Sequence, residues 1–257
     1  MIIALIASIG FASAAHAQLG PLDYNGDGIA TDYAYTNSAT GVVTITHGGG
    51  KPNSIFVVPP GWGFAKPANT DATNAGMELY FLYTGTSLST NVIIVDDTRK
   101  TKRAYSNAEP GTWAIANDSN LNGAAGKEIY FFYSSTSFGT NLVVIDDTAR
   151  RVRKYSAGEP NYWSGASVSE LDGMAGNEVY MVYQGTGPST NAVVIDDRLH
   201  QVRKYTMASA RYWSAVQVLN TNGQPGNELV FSWPDGSNRK VVDRNRGVSA
   251  CSTPFGC

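Results

Sequence analysis

Near the start of the chain, Asp23, Asn25 and Asp27 alternate with Tyr24, Gly26 and Gly28, and Asp32 follows. Side-chain oxygens at alternate positions, with glycine at the sharp turn, suit a calcium ion, which gathers six to eight oxygen ligands. In that reading Asp23, Asn25 and Asp27 supply side-chain oxygens, Ile29 a backbone carbonyl and Asp32 the closing carboxylate. The ion would stiffen the loop rather than catalyse. The competing reading is an Asx-rich turn held by its own backbone, with no metal.

Paired carboxylates recur at Asp96-Asp97, Asp146-Asp147 and Asp196-Asp197, each six residues ahead of an arginine: Arg103, Arg153 and Arg203. A catalytic pair occurs once in an enzyme, whereas these recur in unit after unit. They are expected to end strands at tight hairpins, with the arginine returning on the adjacent strand to pair with them. His16, His47 and His200 fall at unrelated positions, and no nucleophile elbow, phosphate loop, HExxH or CxxC is present. The expectation is a protein that is not an enzyme, with a carboxylate-based polysaccharide hydrolase or lyase as the lesser alternative.

Aromatics are the best ligand candidates. Trp113, Trp163 and Trp213, with Tyr162 and Tyr212, lie among Ser, Thr and Asn residues. Indole faces flanked by short polar groups suit sugar rings, whose C–H faces stack while their hydroxyls hydrogen-bond. The alternative is that each tryptophan packs between neighbouring structural units. Exposure of the rings decides between the two.

The elements that position these residues follow from a repeat. Trp62, Trp113, Trp163 and Trp213 recur about every fifty residues. Each is followed by a loop ending in Gly-x-Glu, at Glu78, Glu128, Glu178 and Glu228. Each glutamate opens a β-rich run (LYFLY, IYFFY, VYMVY, LVFSW), and NVIIVDD, NLVVIDD and NAVVIDD follow in the middle three units. Basic-aromatic strands close those units at Tyr105, Tyr155 and Tyr205. A diverged first copy carries YAYT, VVTIT and IFVV, and Gln18 to Leu22 is the only local segment able to complete it.

Small residues after the tryptophan, bulky middle strands and a charged outer strand match the gradient of a propeller blade. The fold expected is therefore all-β, a β-propeller of about five four-stranded blades, with a β-solenoid or an incomplete propeller as alternatives. The units run 18–61, 62–112, 113–162, 163–212 and 213–257.

Residues 1–17 read as an export signal: an apolar stretch from Ile2 to Ala15, then the small-x-small site Ala15-His16-Ala17. No Lys or Arg precedes the stretch, so a retained anchor is the alternative. In an exported protein Cys251 and Cys257 most simply form a disulfide closing a tail loop. The net charge of −2 offers no basic field for nucleic acid or anionic membrane.

The units resemble the FG-GAP or VCBS repeats of secreted propellers, and the likeness is most specific at Asp23-Tyr24-Asn25-Gly26-Asp27-Gly28. The resemblance implies a calcium-holding loop between strands one and two of a blade. Later copies keep only its outline, in NLNGAAGKE, ELDGMAGNE and NTNGQPGNE. The function expected is a secreted, calcium-stabilised repeat protein that binds an extracellular ligand, a glycan first of all. A structural or adhesion scaffold of the cell surface or matrix is the close alternative.

Overall fold

The computed structural model describes residues 16–83, 91–106, 113–133, 139–159, 163–184, 190–207, 212–245 and 247–251. These residues form five four-stranded antiparallel sheets, each built from consecutive strands. Blade 1 contains β1 (His16–Leu22), β2 (Asp32–Asn37), β3 (Val42–Thr46) and β4 (Ser54–Val57). Blade 2 contains β5 (Phe64–Ala68), β6 (Glu78–Leu82), β7 (Val92–Asp96) and β8 (Thr101–Tyr105). Blade 3 follows with β9 (Trp113–Ser119), β10 (Glu128–Tyr133), β11 (Leu142–Asp146) and β12 (Arg151–Tyr155). Blade 4 has β13 (Gly165–Ser169), β14 (Glu178–Val182), β15 (Ala192–Asp196) and β16 (Gln201–Tyr205). Blade 5 has β17 (Ala215–Leu219), β18 (Glu228–Ser232), β19 (Asn238–Val242) and β20 (Gly247–Cys251).

Among the described residues no strand of one copy pairs with a strand of the next, which separates this propeller-like array from a solenoid. The middle strands are buried along their whole length in blades 2 to 4, Tyr180 being the one half-buried position. Alternation sends one set of their side chains to the preceding blade and the other to the following blade. Thus Leu79, Phe81, Ile93 and Val95 join blade 1 residues, while Tyr80, Leu82, Val92 and Ile94 join blade 3 residues. The same division repeats between blades 3 and 4 and between blades 4 and 5.

Five blades are therefore joined by four apolar seams. Among the described residues no such seam joins blade 5 to blade 1. On blade 1 the side away from blade 2 is open: Tyr35 is 43% exposed, Val42 37%, Ile55 69% and Val57 57%.

The Gln18–Leu22 segment does complete blade 1. It lies in β1, which pairs with β2 and begins two residues earlier, at His16. The export segment up to Ala15 lies outside the described residues, as do Cys257 and the side chain of Cys251.

Candidate functional site

Each blade turns from its first strand into its second through a polar loop, and the second strand opens on a carboxylate: Asp32, Glu78, Glu128, Glu178 or Glu228. That carboxylate folds back onto its own loop. Glu78 accepts from the Thr70 N–H at 2.7 Å, Glu128 from Leu121 at 2.6 Å, Glu178 from Leu171 at 2.6 Å and Glu228 from Thr221 at 2.7 Å. Asp32 accepts from Tyr24 at 3.1 Å and Asn25 at 3.2 Å, so it occupies the glutamate position of blade 1.

The Gly-x-Glu motif gains a physical explanation here. The middle residue donates its N–H to the preceding loop: Met77 to the Asp23 carbonyl, Lys127 to Asn69, Asn177 to Asn120 and Asn227 to Glu170. Successive loops thereby stack, and the glycine allows their backbones to touch. A Cβ on Gly176 or Gly226, both at positive φ, would fall 2.8 Å from the backbone nitrogen of the loop before.

In the Asp23 loop the oxygens expected to bind calcium are turned onto the chain itself. Asp23 accepts from the N–H groups of Gly26 at 2.7 Å, Asp27 at 3.1 Å and Gly28 at 2.8 Å. Asn25 Oδ1 accepts from the Asp27 N–H at 2.9 Å. Asp27 accepts from the Ile29 N–H at 2.8 Å and pairs with Lys51, and that lysine holds its carboxyl below the usual range. The Ile29 carbonyl accepts from Thr31 at 2.8 Å. As arranged, Asp23, Asp27 and Asp32 do not form a converged three-carboxylate set.

Among the described residues such a set occurs in blade 4, where oxygens of Glu170, Asp172 and Glu178 lie within 4.8 Å of one another. In blades 3 and 5 the place of Asp172 is taken by Asn122 and Asn222, whose amides donate to Glu128 at 2.6 Å and Glu228 at 2.7 Å. Aspartate has no such proton to give. Burial, then Asp172, Asp196 and Asp243, push the Glu178 carboxyl up to about 7. Burial, with Asp146 and Asp197, also pushes Glu128 up to about 7.

The aspartate pairs are architectural, and they reach farther than the sequence suggested. Arg153 does pair with Asp146 of its own hairpin, at 3.2 Å. It also crosses to blade 4, with Nε 2.7 Å from Asp197 Oδ1 and Nη2 2.6 Å from Oδ2. The Tyr155 hydroxyl donates to the same carboxylate at 2.5 Å. Arg103 and Tyr105 grip Asp147 in the same way, and Arg203 and Tyr205 grip Asp243. Burial works against each guanidinium's charge, yet the carboxylates outweigh it and raise the pKa of all three arginines. The crossing had one signal in the sequence, the Arg-x-Tyr spacing shared by all three strands.

Blade 1 departs from this pattern. Ser54 pairs with Ile45 at the register position where Arg103 pairs with Ile94, and Phe56 stands where Tyr105 does. A partner for the aspartates comes instead from His47, whose Nδ1 is 3.3 Å from Asp32 and Nε2 3.3 Å from Asp97. Lys100 adds a second, with Nζ 2.8 Å from Asp97 Oδ1 and 2.6 Å from Ser54 Oγ. A cavity of about 470 Å³ opens beside this cluster. Ser54 Oγ lies 3.1 Å from His47 Nε2, in the order hydroxyl, imidazole, carboxylate. The same Nε2 also faces Asp97, so the imidazole lies between two carboxylates.

The tryptophans are wedges. Trp113 and Trp213 are buried at 7% and 9% exposure, and Trp163 is half-buried. Trp163 Nε1 donates to the Tyr133 carbonyl at 3.0 Å and Trp213 Nε1 to Tyr183 at 2.9 Å, each reaching into the preceding blade. Trp163 lies 6.0 Å from Phe132, also of the preceding blade, and Trp113 lies 5.9 Å from Phe131. The three indoles expected to form open stacking platforms are thus taken up by packing. Tyr212 remains 54% exposed, while Tyr162 lies outside the described residues.

No family model matches the chain, and no curated protein matches it. Among solved structures it is similar to PorZ, an essential surface component of the type-IX secretion system of Porphyromonas gingivalis. The TM-score is 0.37 at 12% identity, over 85% of this chain and 26% of that one. An auxiliary nutrient binding protein from Bacteroides ovatus superposes with a TM-score of 0.38 at 11% identity, over 92% of this chain and 57% of that one. Its counterpart from Bacteroides thetaiotaomicron gives 0.37 at 12%, over 90% and 56%. The chain spans from about a quarter to somewhat over half the length of these structures.

Proposed function

We propose that this protein is an extracellular scaffold, an adhesion or surface-assembly module, rather than a lectin with one sugar site per blade. The observation that carries this reading is that Trp113 and Trp213 are buried at blade junctions and Trp163, half-buried, is packed and hydrogen-bonded against the preceding blade. The other repeated polar groups, the Arg–Asp–Tyr contacts and the loop carboxylates, are engaged within the array. The reading is non-catalytic. A glycan-array screen, with and without a calcium chelator, tests it, and no glycan signal is expected in either condition. Binding that weakens stepwise as Trp113, Trp163 and Trp213 are each changed to phenylalanine would overturn it. Exposed Tyr212 supports a second reading, one sugar contact on blade 5, which Tyr212→Ala would abolish in the same screen.

Calcium in the FG-GAP-like Asp23 loop belongs to the proposal. Asp23, Asn25, Asp27, Asp32 and the Ile29 carbonyl would hold the ion once Lys51 releases Asp27. It would supply rigidity by drawing the loop oxygens together. Residence outside the cell rests on the segment ending at Ala17. No helix among the described residues is long and apolar enough to cross a membrane.

A further inference from the structure

The seam between blades 1 and 2 differs from the next three in what crosses it, and a cavity lies at the point of difference. Asp147, the second aspartate of the blade 3 hairpin, is held by two guanidinium groups. Arg150 of the same hairpin pairs with its Oδ1 at 2.7 Å. Arg103 crosses from blade 2, with Nε 2.9 Å from Oδ1 and Nη2 2.5 Å from Oδ2. In blade 2, Lys100 stands where Arg150 does and pairs with Asp97 Oδ1 at 2.8 Å. On blade 1, however, strand register puts Ser54 where Arg103 stands on blade 2.

The carboxylate shows the difference. At Asp147, Asp197 and Asp243 it is Oδ2 that takes Nη2 of the crossing arginine, at 2.5 to 2.6 Å. Asp97 is 1% exposed, and its Oδ2 accepts no hydrogen bond among the described residues. His47 Nε2, 3.3 Å from that oxygen, is engaged with Ser54 Oγ at 3.1 Å. The cavity of about 470 Å³ is walled by the counterparts of groups that Arg103 touches. Arg103 meets Asp147, Asp96 and the Thr101 hydroxyl. Asp97, His47 and Pro52 hold those three places around Ser54, and all three line the cavity.

We infer that this cavity binds the guanidinium group of a ligand, which sets its N–H groups on Asp97 as Arg103 sets them on Asp147. Lys100 is no obstacle, since Asp147 accepts Arg150 and Arg103 together. Lys51, also in the wall, is paired with Asp27. A planar guanidinium offers a fork of donors that matches a carboxylate, whereas an ammonium is a point charge. The group comes either on a small molecule such as arginine or on an arginine side chain of a partner protein. The inference goes beyond the scaffold reading and uses none of the tryptophans.

NMR titration of the full chain with methylguanidinium chloride tests it, against tetramethylammonium chloride at equal ionic strength. Saturable shifts of the Ser54, Asp97 and Thr98 amide signals are expected, with a dissociation constant on the order of 1 mM for so small an ion. A short blocked peptide with one central arginine should bind about tenfold more tightly than its lysine counterpart. Tighter binding of free L-arginine than of that peptide marks a small-molecule source, and the reverse a protein partner. Asp97→Asn keeps the shape, removes the charge and should weaken binding by about tenfold or more. Ser54→Arg should fill the cavity from within, abolish binding and raise the melting temperature. No saturable shift at these amides, equal binding of the arginine and lysine peptides, or unchanged binding in either variant would each overturn the inference. The glycan screen is blind to all of these outcomes, so the two readings fail separately.

Discussion

The seam between blades 1 and 2 and the three that follow solve one problem with different residues. At each, a buried aspartate near the start of a hairpin must be neutralised from the blade before. In the later three seams an arginine spans two aspartates and a tyrosine hydroxyl joins it, and Arg150 adds a second guanidinium to Asp147. In the first seam a serine and a phenylalanine hold those register positions, and His47 and Lys100 contact Asp97 instead. A planar guanidinium binds a carboxylate with two parallel hydrogen bonds, which an imidazole cannot do. The comparison shows that the position of the aspartate is what the architecture fixes. The identity of the cation is free to vary.

The largest effect is expected from Arg153→Ala, which leaves Asp197 and Asp146 buried without their shared cation. The cost should be about 3–5 kcal/mol by chemical denaturation. A loss under about 1 kcal/mol would mean that the later seams rest on apolar contact alone. His47→Ala should cost less, about 2 kcal/mol, because Lys100 stays on Asp97 and backbone N–H groups stay on Asp32. If it costs as much as Arg153→Ala, the contrast drawn between the seams is wrong.

The tyrosine half of the comparison can be moved in both directions. Tyr155→Phe should cost about 1 kcal/mol, and Phe56→Tyr should gain up to about 1 kcal/mol by offering Asp97 the missing hydroxyl. A thermal melt of the pair reads both signs.

The smallest effect is in pH dependence. Glu178 binds its proton more tightly when folded, at about 7 against an ordinary 4.5. Its contribution is therefore complete below about 4.5 and is lost as pH rises through 7. Glu178→Gln should flatten the decline in stability over that interval, and Glu128→Gln should act likewise.

The five-unit cadence and the strand runs were legible because short β-strands with fixed spacing leave a strong pattern. The first strand of blade 1 was harder, since HAQLGPL lacks a leading tryptophan and overlaps the export signal. Asp32 was read as a late calcium ligand from its spacing to Asp23. Its place at the head of β2, equivalent to Glu78, shows only once the strands are registered. The reach of Arg103, Arg153 and Arg203 was half legible. Pairing within the hairpin satisfies the sequence, and only the packed array brings the next blade's aspartate to the other side of the guanidinium. Ring burial was not legible, because a tryptophan in every copy serves a wedge and a sugar platform equally well.

The absence of a seam between the last blade and the first has a consequence for how the molecule comes apart. In a closed circle every sheet has two neighbours, and opening any one breaks two contacts. Among the described residues the four apolar seams join the sheets in sequence and none joins the fifth to the first, so melting can start at either end of this row and travel inward. Amide hydrogens of β10 and β11 should consequently exchange with solvent more slowly than those of β2 and β3, giving a protection profile that peaks mid-chain and falls toward both ends.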